Sequence, residues 1–286
     1  MLRLLLLPAL LALPALAADD ATRDEIARLF NQRQWAEAQS LLEKITAAEP
    51  DNAEAWGSLG QVFLARSEPA PAAAALEKAS ALAPTNSNYQ LQLGHAYGMS
   101  AVKAGLFAKL GFANKCKTAY DKAVALDPKN INARWSLMEF CRQAPSIAGG
   151  GMALAYAQAE EIRKLDPRRG RAAYASLYTA EKKFPAAFAL YEEVLREKPD
   201  DNDALFSIAR LAARSGQQLD RGLAALRQLS AHPDHAHDAR LPTLQGNILE
   251  RQGDRAGATA AYEAALALDP NFPPALELLR KLKLEP

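Results

Sequence analysis

The sequence predicts an all-α protein, an α-α superhelix of about seven helix-turn-helix repeats closed by a C-terminal capping helix. Three observations carry that expectation: regularly spaced prolines, helical periodicity between them, and small residues set opposite large ones. Pro50, Pro84, Pro128, Pro167, Pro199, Pro233 and Pro270 follow one another at intervals of 34, 44, 39, 32, 34 and 37 residues. A self-similar period of this size marks a stacked array, in which each unit buries its apolar face on its neighbours. Asn or Asp trails several of the prolines, in PDN at 50–52, PTN at 84–86, PKN at 128–130 and PDDN at 199–202. Proline past a helix end stops that helix, and Asn or Asp caps the next one.

In chain order, the first element is MLRLLLLPALLALPALA, with Arg3 before an apolar run from Leu4 to Leu16 and small residues at Ala15 and Ala17. That is the plan of a signal peptide over 1–17, with cleavage expected after Ala17. The run is shorter than the roughly 20 residues a membrane-spanning helix needs. The destination expected is the bacterial periplasm. Loss of Arg3 would take the net charge from +1 to 0. A neutral chain offers no overall attraction to nucleic acid.

The array is expected over 18–270 and shows best between Ala53 and Pro84. Trp56, Leu59, Gly60 and Phe63 share one helical face, and Ala72, Leu76 and Ala79 share the face of the next helix. Gly60 and Ala72 let the two helices approach, while Trp56, Phe63 and Leu76 fill the space beside them. This segment resembles the tetratricopeptide repeat family, whose signature is W-x2-L-G-x2-Y, then A-x3-F, then Pro at a 34-residue period. Related positions recur at Ala38 and Leu42; at Leu93, Gly94, Tyr97 and Tyr120; at Leu137; at Tyr178, Ala187 and Tyr191; at Ile208 and Ala225; and at Gly246, Ala258 and Tyr262. The segment 271–286, PPALELLRKLKLEP within it, is expected to cap the last apolar face.

Departures from the period point to what is particular to this chain. The repeat over 87–128 is long, and Val102, Leu106 and Leu110 at four-residue spacing make the surplus helix rather than loop. The stretch from Lys78 to Tyr120 contains no acid, whereas Lys103, Lys109, Lys115 and Lys117 add positive charge. Two readings stay open for 98–117: a basic arm touching an anionic partner or the envelope membrane surface, or a longer hairpin with solvated lysines. In the next repeat the surplus is the glycine-rich loop 144–151. Gly149, Gly150 and Gly151 lead into a helix, which suits either a flexible connector or an anion site. No Gly-Lys-Ser/Thr follows, so a phosphate-binding P-loop is not indicated. Cys116 and Cys141 stand level on antiparallel helices, where they form either a disulfide or a pair of buried thiols.

Three of the four histidines lie in HPDHAHD. His232, His235, His237 and Asp238 include the donor types that zinc or copper takes, but the stretch closes a repeat and reads first as an elongated turn. Neither a metal nor any other cofactor is expected. Catalytic signatures are wanting: there is no G-x-S-x-G, H-E-x-x-H or C-x-x-C, and Ser100-Ala101-Val102-Lys103 matches S-x-x-K without its companion motifs.

The family resemblance implies instead a groove lined by the first helix of each repeat. Carried through the register, that face holds Gln61, Asn88, Gln92, His95, Asn132, Trp135, Glu139, Arg142, Phe206, Arg210, Arg214 and Asn247. Amides can hold a peptide backbone, arginine can fork onto carboxylates, and Trp135 and Phe206 can grip apolar side chains. The function expected is a non-enzymatic scaffold or assembly factor with a protein or peptide partner. The alternatives are a small-anion or metal carrier using Gly149–Gly151 or His232–Asp238, and an accessory subunit of an envelope enzyme complex.

Overall fold

The computed structural model describes residues 20–284, apart from the side chains of residues 106, 107 and 283. The expected signal peptide lies outside the described residues. Fifteen α-helices and two single 3-10 turns make up the regular structure there, with no strand. The chain divides at Gly150/Gly151 into two compact units.

The first unit contains α1 (Asp20–Asn31), α2 (Trp35–Ala48), α3 (Ala53–Ala65), α4 (Pro69–Leu82), α5 (Ser87–Lys103), α6 (Leu106–Leu126) and α7 (Ile131–Gln143). Consecutive helices pair as hairpins, α1 with α2, α3 with α4 and α5 with α6, and each hairpin stacks on the next. The asparagines that trail the prolines do the capping. Asn52, Asn86 and Asn130 accept hydrogen bonds from the opening amides of α3, α5 and α7. Each satisfies a donor that the helix itself leaves unpaired.

Close approach within the hairpins rests on glycine. A Cβ on Gly60 would stand 2.5 Å from Leu76 Cγ, and one on Gly94 would stand 2.3 Å from Tyr120 Cε1. The α1/α2 and α3/α4 turns are closed by Arg33 and Ser67 in the left-handed region, at φ 54° and 60°. Behind each, an amide reaches back to the first helix, Gln34 to Leu29 and Glu68 to Phe63. The α5/α6 turn departs from this pattern, with extended backbone at Ala104 and Gly105. The surplus residues of this repeat are therefore helix, 17 residues in α5 and 21 in α6 against 13 and 14 in α3 and α4.

The second unit contains α8 (Met152–Leu165), α9 (Pro167–Ala180), α10 (Phe184–Glu197), α11 (Asn202–Ser215), α12 (Leu219–Ser230), α13 (Arg240–Arg251), α14 (Arg255–Leu268) and α15 (Pro273–Leu284). Its core is Phe188, Tyr191, Leu205, Ile208, Leu226, Leu229 and Ile248 among small alanines. Gly246 repeats the pairing seen above, since its Cβ would lie 2.3 Å from Tyr262 Cε1. Tyr262 and Ala258 are then covered by Leu278, Leu279 and Leu282 of α15.

Pro167 both ends one helix and begins another. Asp166 closes α8 by donating its amide to Ile162 O and opens α9 by accepting from the Arg169 amide. Gly170 meets Arg163 there so closely that its Cβ would stand 2.3 Å from Arg163 Cα. Asp201 caps α11 through the Ala204 amide and pairs with Arg168, its carboxylate being only 1% exposed.

Candidate interaction surfaces

Of the residues assigned to a groove, Gln61, Asn88, His95, Asn132, Arg210 and Arg214 are exposed and the others half-buried, and each unit holds an open cleft between first helices. In the first unit a cleft of about 300 Å³ lies between α1 and α3, lined by Ile26, Phe30, Ala55, Ser58 and Gln61, with Arg23 and Glu54 at its rim. Farther along, Asn88 is exposed but tied to the next repeat, because the Asn130 cap donates Nδ2 to Asn88 Oδ1 (3.2 Å) and Ser87 Oγ (2.8 Å). Gln92 is half-buried, and its amide oxygen finds no hydrogen-bond partner among the described residues.

His95 keeps one edge in solvent while its ring meets Tyr120 edge-on at 5.6 Å and its Nε2 lies 3.1 Å from Ser136 Oγ. That packing strips water from the imidazole and lowers its pKa. Asn132 is exposed and Trp135 half-buried on α7. Arg142 is not free to fork onto a partner. Its guanidinium lies on Glu139 of the same helix, with Nε at 3.0 Å, and Gln143 donates to the same carboxylate.

In the second unit the assigned residues converge. Arg210 and Arg214 of α11 and Asn247 of α13 line one open pocket of about 530 Å³, together with Ala213, Leu244, Glu250 and Arg251. Among the described residues, none of the three arginines makes an ion pair. Gly216 ends α11 in the left-handed region, and a Cβ there would lie 3.3 Å from Arg251 Nη1. Arg251 therefore sits at the carbonyl end of α11, where the helix dipole favours a cation. Glu250 takes a hydrogen bond from the Tyr262 hydroxyl at 2.9 Å. Phe206 lies beneath Arg240, whose guanidinium stands 5.3 Å from the ring centroid. Arg251 and Glu250 escaped the sequence reading, although Arg251 stands one helical turn after Asn247.

The basic arm does not present four lysines on one face. Lys103 donates to the Ser67 carbonyl, Lys115 lies 5.3 Å from the centre of the Tyr97 ring, and Lys117 pairs with Asp121 at 2.7 Å. Lys109 is exposed, as are Val102 and Leu110 near the hairpin end. Of the two readings open for the cysteines, the structure has the pair of buried thiols: Cys116 and Cys141 are both free and buried. Cys116 on α6 faces Gly98 of α5 and bonds Tyr120, whereas Cys141 on α7 lies within electrostatic reach of Lys117 and Asp121. Burial pushes the Cys116 thiol up to about 11.

The glycine-rich loop holds a hydrogen-bonded turn. Ser146–Ala148 form a 3-10 turn, and the Gly150 amide returns to Pro145 O. A Cβ on Gly150 would collide with the Ala144 carbonyl at 1.9 Å. The histidine stretch is likewise a turn. The Asp234 amide donates to His232 Nδ1, and Asp238 is engaged by Arg240 through two bonds of 2.8 and 2.6 Å, which lower its pKa. No group of three His, Cys, Asp or Glu suited to a metal occurs among the described residues. No helix there is long and apolar enough to cross a membrane.

Comparison with known proteins gives a consistent picture. Residues 143–284 match the model of a tetratricopeptide repeat-like domain, and residues 24–87 match that of the tetratricopeptide repeat. Cellulose synthase operon protein C of Pseudomonas fluorescens (strain SBW25) is 31% identical over 146 residues, which is 49% of this chain. The match spans only 11% of that protein's length. A tetratricopeptide repeat protein from Parabacteroides merdae superposes with a TM-score of 0.65 at 17% identity, over 92% of this chain and 97% of its own. The APC/C hetero-tetramer Cut9–Hcn1 gives 0.58 at 15% identity, over 90% of this chain and 48% of the matched one. A thermophilic repeat protein from Thermus thermophilus gives 0.52 at 18%, over 72% and 96%. At these identities the solved structures speak for the fold.

Proposed function

This chain belongs to the tetratricopeptide repeat family, and on that premise we propose that it is a non-enzymatic adaptor of the bacterial envelope. It holds a segment of a protein partner against the first helices of its repeats. The observation that carries this reading is the convergence of Arg210, Arg214 and Asn247 on one open pocket. Residues selected only by their register on first helices share a cavity with fork-shaped donors facing it, which suits recognition of another chain.

Two observations support the envelope setting: the leader-like sequence 1–17 and the likeness to a cellulose synthase operon product. The second also favours a more specific version, in which the adaptor serves an envelope enzyme whose chemistry resides in another chain.

The test is capture of a partner from envelope extract on the immobilised protein, read by mass spectrometry. Two double variants, Trp135→Ala with Arg142→Glu and Arg210→Gln with Arg214→Gln, run beside the wild type. A protein retained by wild type and lost from either variant is expected. Retention by all three would sink the first-helix reading, and retention of nothing would sink the adaptor reading. Intact mass of the periplasmic fraction should show Ala18 as the first residue.

A further inference from the structure

The α11/α13 pocket concentrates positive charge that no carboxylate among the described residues neutralises through an ion pair. Arg210, Arg214 and Arg251 line it beside a single carboxylate, Glu250, which is already engaged by Tyr262. The Tyr262 hydroxyl has one proton for two neighbours, Glu250 Oε2 at 2.9 Å and the Asn247 amide at 2.8 Å. Burial and the carboxylate both push the Tyr262 pKa up, so the proton stays on the hydroxyl. The charged acceptor takes it. Asn247 Oδ1, placed 2.8 Å from the hydroxyl, would then face an oxygen with no proton between them, so the amide is assigned the other way round, NH2 to the hydroxyl and carbonyl to the pocket. The site thus offers three guanidinium forks and one backbone-type acceptor, over Ala213 and Leu244.

Spacing says what fits. Arg210 and Arg214 are one helical turn apart on α11, an advance of about 6 Å along the axis. Two residues of extended chain advance about 6.6 Å. Side chains two apart in an extended segment point the same way, so two acids separated by one residue meet the two arginines together. The residue between them points away, and its neighbouring backbone amide can donate to Asn247.

We propose that this pocket binds an internal acidic segment of a protein partner in extended form, with carboxylates in an acid-x-acid spacing on Arg210 and Arg214. Arg251 takes a third carboxylate or strengthens the hold on one of them. The inference rests on the adaptor reading and specifies its partner chemistry.

The test uses the purified protein and a fluorescein-labelled peptide Ala-Ala-Asp-Ala-Asp-Ala-Ala with its C-terminus amidated, followed by anisotropy at low and moderate salt. Saturable binding is expected, weakened about tenfold or more in Arg210→Gln and in Arg214→Gln. The Asn-for-Asp peptide should fail to bind. A peptide with adjacent acids, Ala-Ala-Ala-Asp-Asp-Ala-Ala, should bind more weakly than the spaced one. Because the arginines line an open pocket, unchanged helical circular dichroism and melting will show that each variant is folded. Arg251→Gln serves as a second probe, expected to lower affinity without abolishing the spacing preference.

Equal affinity for spaced and adjacent acids would overturn the register. Binding that requires a free C-terminal carboxylate would overturn the internal-segment reading. Competition by inorganic phosphate at concentrations comparable to the peptide would make this a small-anion site and overturn the peptide reading. No binding by any peptide, with a partner still captured from envelope extract, would overturn this inference and leave the adaptor reading standing.

Discussion

Substituting Gly94 by alanine tests whether the hairpins are held together by contact between a glycine and an aromatic ring. The added Cβ would stand 2.3 Å from Tyr120 Cε1 and 2.4 Å from Cδ1. Unstrained carbon contacts begin near 3.5 Å, so ring or helix must move by about 1 Å. Tyr120 has little room to do so. It is 7% exposed and flanked by the His95 and Phe140 rings at 5.6 and 6.5 Å. Forcing a methyl group into a packed site costs about 1–3 kcal/mol. Alanine returns about 1 kcal/mol through its helix propensity. The expected net effect is a loss of up to about 2 kcal/mol, toward the upper end because Tyr120 has little room to yield.

Gly111 in α6 is the control, since a Cβ there meets nothing within 4 Å. Gly111→Ala should therefore gain about 1 kcal/mol. The three tryptophans, Trp35, Trp56 and Trp135, all lie in the first unit, so tryptophan fluorescence during urea unfolding reads that unit alone. The Gly111→Ala midpoint should lie above that of Gly94→Ala, about 1–3 kcal/mol apart after multiplication by the slope. If Gly94→Ala is stabilised alongside Gly111→Ala, the contact argument fails.

Other consequences can be checked as directly. Cys116 and Cys141 should resist thiol reagents in the native protein and both react in denaturant without reductant; a count of zero would mean that they oxidise. His95 should titrate below its ordinary 6.5 by NMR, because packing on Tyr120 disfavours its charged form. Its contribution to stability is then whole above pH 6.5 and declines as pH falls through the folded value, and His95→Gln should flatten that part of the profile. An imidazole titrating above 6.5 would contradict the packing argument. Ser67→Gly should raise stability by about 1 kcal/mol in the same urea assay, since a left-handed φ of 60° costs serine what glycine does not pay. A loss on that substitution would mean that the turn is held by something other than its backbone angle.

The repeats were legible because their signals are local. The asparagines of PDN, PTN and PKN cap the helices they precede, and Gly60 and Gly94 meet large side chains across their hairpins. Tertiary contacts decided the rest. Arg33, Ser67 and Lys182 occupy left-handed turns that glycine would announce and these residues do not. The lysines of the long hairpin look like one basic surface in sequence, yet their flexible stems reach a carbonyl, a ring and a carboxylate in different directions. Level placement of Cys116 and Cys141 along two helices said nothing of the direction each thiol faces. Register found Arg210, Arg214 and Asn247 but stopped a turn short of Arg251, because the edge of a pocket is set by where the neighbouring helix ends.

The junction at Asp166 has a mechanical meaning. Between α4 and α5 the chain has several residues whose torsions can absorb a change of angle. Between α8 and α9 it has one, and that residue is fixed at both ends by hydrogen bonds while Gly170 lies against Arg163. Such a joint behaves as a weld in a series of springs. Load applied to α9 by a partner would be passed to α8 as torque, and bending would be taken up at the softer turns on either side.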